Sequence, residues 1–128
     1  YLDDPFLLCS YLHFQSQCWY EKGEHEKAAE TISRSLTMAR DVGRMDVLWL
    51  AELHNVKFQL AAGLLSASAA LDALQKQLEA TEDLRIGARL KYELWVLDSS
   101  LIQYRDEAID TYRQAFEQTP EHMLRVPL

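Results

Sequence analysis

Trp49, Leu53, Val56 and Leu60 follow one another at steps of four, three and four, and the same stripe returns 41 residues later as Leu90, Leu94, Leu97 and Leu101. Such steps bring a helix back to nearly the same angle, so each set marks one helical face. A second apolar set lies on another side of each segment: Leu50, His54, Phe58 and Ala61 in the first, Ala88, Trp95 and Ile102 in the second. A helix that is apolar on two sides has to be covered on two sides. Both stripes are then core, or part of one lines a concave groove that meets a partner helix or an extended peptide. The groove alternative places the partner against Trp49, Leu53, Val56 and Leu60 and against Leu97 and Leu101 on the matching side of the fifth helix.

Caps and breakers divide the chain into six predicted helices. The first runs from about Pro5 to Tyr20, with Asp3 or Asp4 as cap and Pro5 in the first turn, where its missing N–H costs nothing. Gly23 breaks the chain with left-handed cap geometry. The second runs from about His25 to Asp41 and stops at Val42-Gly43-Arg44. The third follows Arg44 and reaches about Ala62, before Gly63. The fourth spans about Ser66 to Ala80, with Ser66 or Ser68 as cap. The fifth spans Leu84 to Leu101, with Gly87 in its first turn, and the sixth Arg105 to Gln118. The fold class is therefore all-α. Three antiparallel pairs, at about 5–43, 45–82 and 84–120, form one domain, and 121–128 is a tail carrying apolar Leu124, Val126 and Leu128.

With 128 residues, 48% hydrophobic and 26% charged, the chain is ordinary globular material rather than a disordered one. Four Gly and three Pro are too few for a many-turned β domain. The net charge of −7 leaves no cationic cluster to replace counterions on nucleic acid, and an anionic membrane surface is disfavoured for the same reason. Cys9 and Cys18 lie nine residues apart on one predicted helix and face opposite sides, so they cannot bridge each other. Their spacing fits neither a disulfide framework nor zinc, and an intracellular, cytoplasmic or nuclear, reducing compartment is expected. No signal peptide or apolar run near 18 residues is present, and the start at Tyr1 suggests a piece of a longer protein.

Chemistry-bearing patterns are missing. His13, His25, His54 and His122 make no H-E-x-x-H pair, the serines sit in no G-x-S-x-G elbow, and no glycine-rich loop could cradle phosphate. His54, on an otherwise apolar side, reads as a satisfied core or groove histidine. Carboxylates gather at helix termini, where the helix dipole favours them. A non-catalytic domain with no cofactor and no metal is expected.

Residues 104–120 place Ala108, Tyr112 and Ala115 on one face and close with Pro120. The stretch from Trp19 shows a related pattern, with Ser16, Trp19, Tyr20, Gly23, Ala28 and Ile32, and Ala67 holds the matching place in the middle pair. This resembles the tetratricopeptide-repeat (TPR) superfamily over about residues 5–120, with units of about 40 residues in place of the usual 34 or so. The resemblance implies a right-handed superhelix of three pairs whose inner face binds peptides, and puts that face in the first unit at about Ser10, His13, Gln17 and Tyr20. Family members that grip an acidic C-terminus carry Lys and Asn there, so the carboxylate-clamp subtype is not expected. The implied function is a scaffold or protein-interaction module whose partner is another protein or peptide segment, with self-association possible. Two rival expectations stand beside it: a regulatory sensor domain of a larger transcription regulator or ATPase, and structural repeats inside a multi-subunit assembly.

Overall fold

Asp4 begins the first helix, its carboxylate accepting from the Phe6 N–H at 2.9 Å, with Pro5 at the first helical position. A computed structural model describes residues 4–118, in which all regular structure is α-helical. The helices are α1 (Pro5–Glu21), α2 (His25–Val42), α3 (Met45–Ala61), α4 (Ala67–Ala80), α5 (Leu84–Leu97) and α6 (Ile102–Gln118). α1 packs on α2, α2 on α3, and α5 on α6. Asp3, Pro120 and the tail lie outside the described residues.

One device ends the first three helices. Gly23, Gly43 and Gly63, spaced 20 residues apart, all take positive φ, at 80°, 73° and 75°. In each case the next residue's N–H reaches back five positions: Glu24 to the Trp19 carbonyl, Arg44 to Ala39 and Leu64 to Gln59, all at 2.9 Å. The glycine N–H itself bonds to Tyr20, Arg40 or Leu60. This pairing is the Schellman motif, which satisfies carbonyls that a helix end would otherwise leave open, and glycine enters the left-handed region without a Cβ clash.

Two compact units form, one up to Ala70 and one from Leu71, and the division falls inside α4 rather than near residues 44 or 83, where the repeat boundaries are expected. In the first unit α2 is the central element. Its buried side carries Ala28, Ala29, Thr31, Ile32, Ser35, Leu36 and Ala39. Small residues let α1 and α3 approach closely, while Ile32 and Leu36 fill the space with Ala51 and Phe58 of α3, and Trp19 and Tyr20 of α1 close over the cluster. Ser35 donates to the Cys9 carbonyl at 2.7 Å, tying α2 to α1 through a buried bond. Arg44, in the α2–α3 turn, donates to the Phe6 carbonyl at 3.0 Å and to Ser10 Oγ at 2.7 Å.

In the second unit Asp83 caps α5 through the Arg85 and Ile86 N–H groups. Gly87 is buried within α5, where a Cβ would stand 3.6 Å from Leu78 Cδ1; the residue that blurs the predicted start of this helix is the point where α4 comes near. Lys91 and Glu107 pair at 3.0 Å between α5 and α6, and the Tyr104 hydroxyl donates to Gln75 Oε1 at 3.1 Å.

Three expectations are corrected here. The fifth helix stops at Leu97, four residues early, because the Asp98 carboxylate accepts from the Ser100 N–H and hydroxyl at 3.1 and 2.7 Å and turns the backbone. Leu101 therefore sits in the connection and Ile102 opens α6, so neither extends an α5 stripe. Ala67 does not take a buried repeat position: it is exposed at the start of α4, beside the Ser66 cap, and the small buried residue there is Ala70. Tyr112, placed on one repeat face with Ala108 and Ala115, is 46% exposed, whereas Ala108 is buried.

Candidate functional site

Within the first unit, the C-terminal halves of α1 and α3 border an open cleft of about 570 Å³. Phe14, Gln17, Cys18, Tyr20 and Glu21 come from α1, Lys22 from the residue that ends it, and His54, Lys57 and Phe58 from α3. On α1, positions 14, 17, 18 and 21 share one helical face; on α3, 54, 57 and 58 do the same.

Rings stack along the inner wall of this cleft. His13 meets His54 edge-on with centroids 5.0 Å apart, His54 stacks on Phe58 at 5.3 Å and 10°, and Phe58 stacks on Tyr20 at 4.7 Å and 21°. Tyr20 in turn leans on His25 at the start of α2. Offset and edge-to-face pairs of this kind add to simple burial and hold each ring in place. His54 and Phe58 are 8% and 2% exposed, so the α3 side of the wall is anchored in the core.

A hydrogen bond ties the two helices together at the base. His13 Nε2 and His54 Nδ1 are 2.7 Å apart, and the Gln17 amide lies 3.4 Å from the same His54 nitrogen. One imidazole donates and the other accepts, so one nitrogen of the pair must be bare. Burial holds the His13 pKa below its ordinary value because the charged form loses hydration. Cys9 and Cys18 are free thiols, Cys9 buried and Cys18 exposed at the cleft. Among the described residues no group of three His, Cys, Asp or Glu side chains could hold a metal ion, and no helix is long and apolar enough to cross a membrane.

Of the four residues expected on the inner face of the first unit, Gln17 and Tyr20 line the cleft, His13 lies behind it on His54, and Ser10 lies away from it, bonded to Arg44. The stripe Trp49, Leu53, Val56 and Leu60 does not line it. Leu53 is fully buried, so it has no surface to offer a partner and belongs to the core, which corrects its assignment as a partner contact. Trp49, Val56 and Leu60 are half-buried. Leu97 ends α5 and Leu101 follows it, both in the second unit. Ser16 and Ala28 are fully buried and Trp19 is partly so, with Lys22 and Lys27 over its ring. Ala115 is half-buried. Phe14, Glu21, Lys22 and Lys57 are the cleft residues the sequence did not single out, and Cys18 stands out there only as a thiol. A signal existed in the second apolar set of α3, where His54 interrupts Leu50, Phe58 and Ala61.

The chain matches no protein-family model, no curated protein and no solved structure.

Proposed function

We propose that this protein is a non-catalytic protein-interaction module that takes a segment of a partner polypeptide into the cleft between α1 and α3. The observation that carries the reading is the cleft itself, whose volume falls in the range of sites that enclose a ligand group. Its apolar contact comes from exposed Phe14 and half-buried Tyr20, and Tyr20 is already held by stacking on the buried Phe58 ring, so little of its freedom is lost on binding. Gln17, Glu21, Lys22 and Lys57 supply polar groups around that wall to fix orientation. A helical-repeat chain related to the TPR class, with long units, accounts for an inner face at His13, Gln17 and Tyr20. The two free thiols suit a reducing, intracellular compartment.

Short peptides selected on the immobilised protein from a display library test the reading. Gln17→Trp places a large ring in the cleft from a half-buried position. Selected peptides should bind this variant about tenfold more weakly or worse. An empty selection, or peptides that bind Gln17→Trp as well as the parent, overturns the assignment. The same volume also fits a small-molecule sensor, as in a regulatory domain; a thermal-shift screen in which a small ligand, but no peptide, raises the melting temperature would favour that second reading.

A further inference from the structure

A segment that leaves water carries main-chain N–H and C=O groups, and each needs a partner. The walls between α1 and α3 offer few. Both walls are helices whose interior backbone groups are bonded within their own turns, so neither presents an edge for an added strand. Among the described residues that line the cleft, Gln17 is the one amide, able to give and accept at once, and its nitrogen already lies 3.4 Å from His54 Nδ1. An extended segment would turn one edge of its backbone onto walls that cannot satisfy it. A helical segment pairs its own backbone and needs side-chain contacts alone.

The surface beyond the cleft has the length that a helix needs. Leu7 and Tyr11, 52% and 49% exposed, continue along α1 the line of Phe14 and Cys18, which border the cleft. Steps of four, three and four keep these residues on one face. On α3, Leu50 and Val47 are half-buried and share the face of His54, about one and two turns nearer the start of that helix. No Asp, Glu, Lys or Arg stands between Asp4 and Glu21, so an apolar side chain meets no charge along this part of α1. From Leu7 to Glu21 the helix rises about 21 Å, or four turns. Phe14 and Cys18 belong to the row and to the cleft alike, so what fills the cleft reaches the row as well.

Resting on the reading that the cleft takes a partner polypeptide, we infer that the partner segment is an amphipathic helix of about four turns lying along α1. Its apolar side chains enter the cleft and continue over Tyr11 and Leu7, and its charged side chains stay in water.

Displayed peptides of about 16 residues, long enough for four helical turns, supply the probe. Those that lose binding to Gln17→Trp occupy the cleft. In these, apolar residues should recur at steps of three and four, and circular dichroism should show helix gained on binding. A proline placed at the centre of the peptide should weaken binding about tenfold or more. Leu7→Asp and Tyr11→Asp, both at half-exposed positions and checked for unchanged helicity, should each weaken it about tenfold. Cleft peptides that tolerate the central proline, or that ignore both variants, overturn the inference and leave the cleft reading intact. A selection that yields no cleft peptide overturns both. Self-association of the peptide-free protein that Tyr11→Asp abolishes, or displacement of the peptides by a synthetic peptide of residues 119–128, would give the row another occupant and overturn the inference too.

Discussion

His13 joins the fold to the site. Burial lowers its pKa, so the folded chain holds the ring neutral below pH 6.5, where the unfolded chain has begun to bind a proton. The unfolded state then carries more protons, and stability falls as pH drops through 6.5 towards the lower folded value. Melting temperatures between pH 8 and 5 should therefore decline below 6.5, and His13→Gln should flatten that decline. Glu107 is also held low: a hydrogen bond from Lys91, then one from Gln103, keeps its carboxyl below the ordinary 4.5, so its contribution is lost as pH falls below 4.5. At Leu53 the expected outcome is mechanical. Leu53→Ala should cost about 2–5 kcal/mol in chemical denaturation, the range for emptying a full core position. The sequence shows that Leu53 is on an apolar stripe; it does not show which side of α3 faces the core, because both sides are apolar. His54 is what separates them. A polar ring among Leu50, Phe58 and Ala61 marks the side that needs a hydrogen-bond partner, and α1 supplies it from His13.

The elements were legible where glycine and aspartate punctuate them. Gly23, Gly43 and Gly63 end three helices in one geometry, and nothing lies within 4 Å of a Cβ built at any of them. The cost of replacing them is therefore backbone strain alone, so Gly23→Ala and Gly43→Ala should each destabilise by about 1–2 kcal/mol in urea titrations. Gly87→Ala is a different experiment. Its added methyl meets Leu78 at ordinary contact distance, and helical Ala is preferred over Gly, so stability should be unchanged or rise by up to about 1 kcal/mol. α5 is the helix whose end periodicity does not give. Periodicity carried the stripe on to Leu101, but Asp98 and Ser100 satisfy each other locally and stop the helix first. A run of Asp-Ser-Ser inside an apolar pattern was the available signal. Ala67 was misplaced for a related reason: small residues at 67, 69 and 70 are interchangeable by pattern, and only the Ser66 cap fixes which of them turns inward.

At the scale of the whole molecule, six helices follow from composition, periodicity and caps, and two of them border a cleft. α1 and α3 both pack on α2, whose small residues bring them close, and His13 and His54 join them at the base of the cleft. Tyr20, Phe58 and Gln17 then face a shared space that neither helix creates alone. Sequence spacing locates each helical face but not the distance between two faces from different helices, so it does not mark Phe14, Glu21, Lys22 or Lys57 as neighbours. The central claim is that a partner polypeptide enters between α1 and α3. Amide chemical-shift mapping of the labelled protein, titrated with a selected peptide, tests it most directly. The account predicts saturable shifts concentrated in residues 14–22 and 54–58. Shifts centred on Trp49, Val56 and Leu60, or confined to α5 and α6, would contradict it.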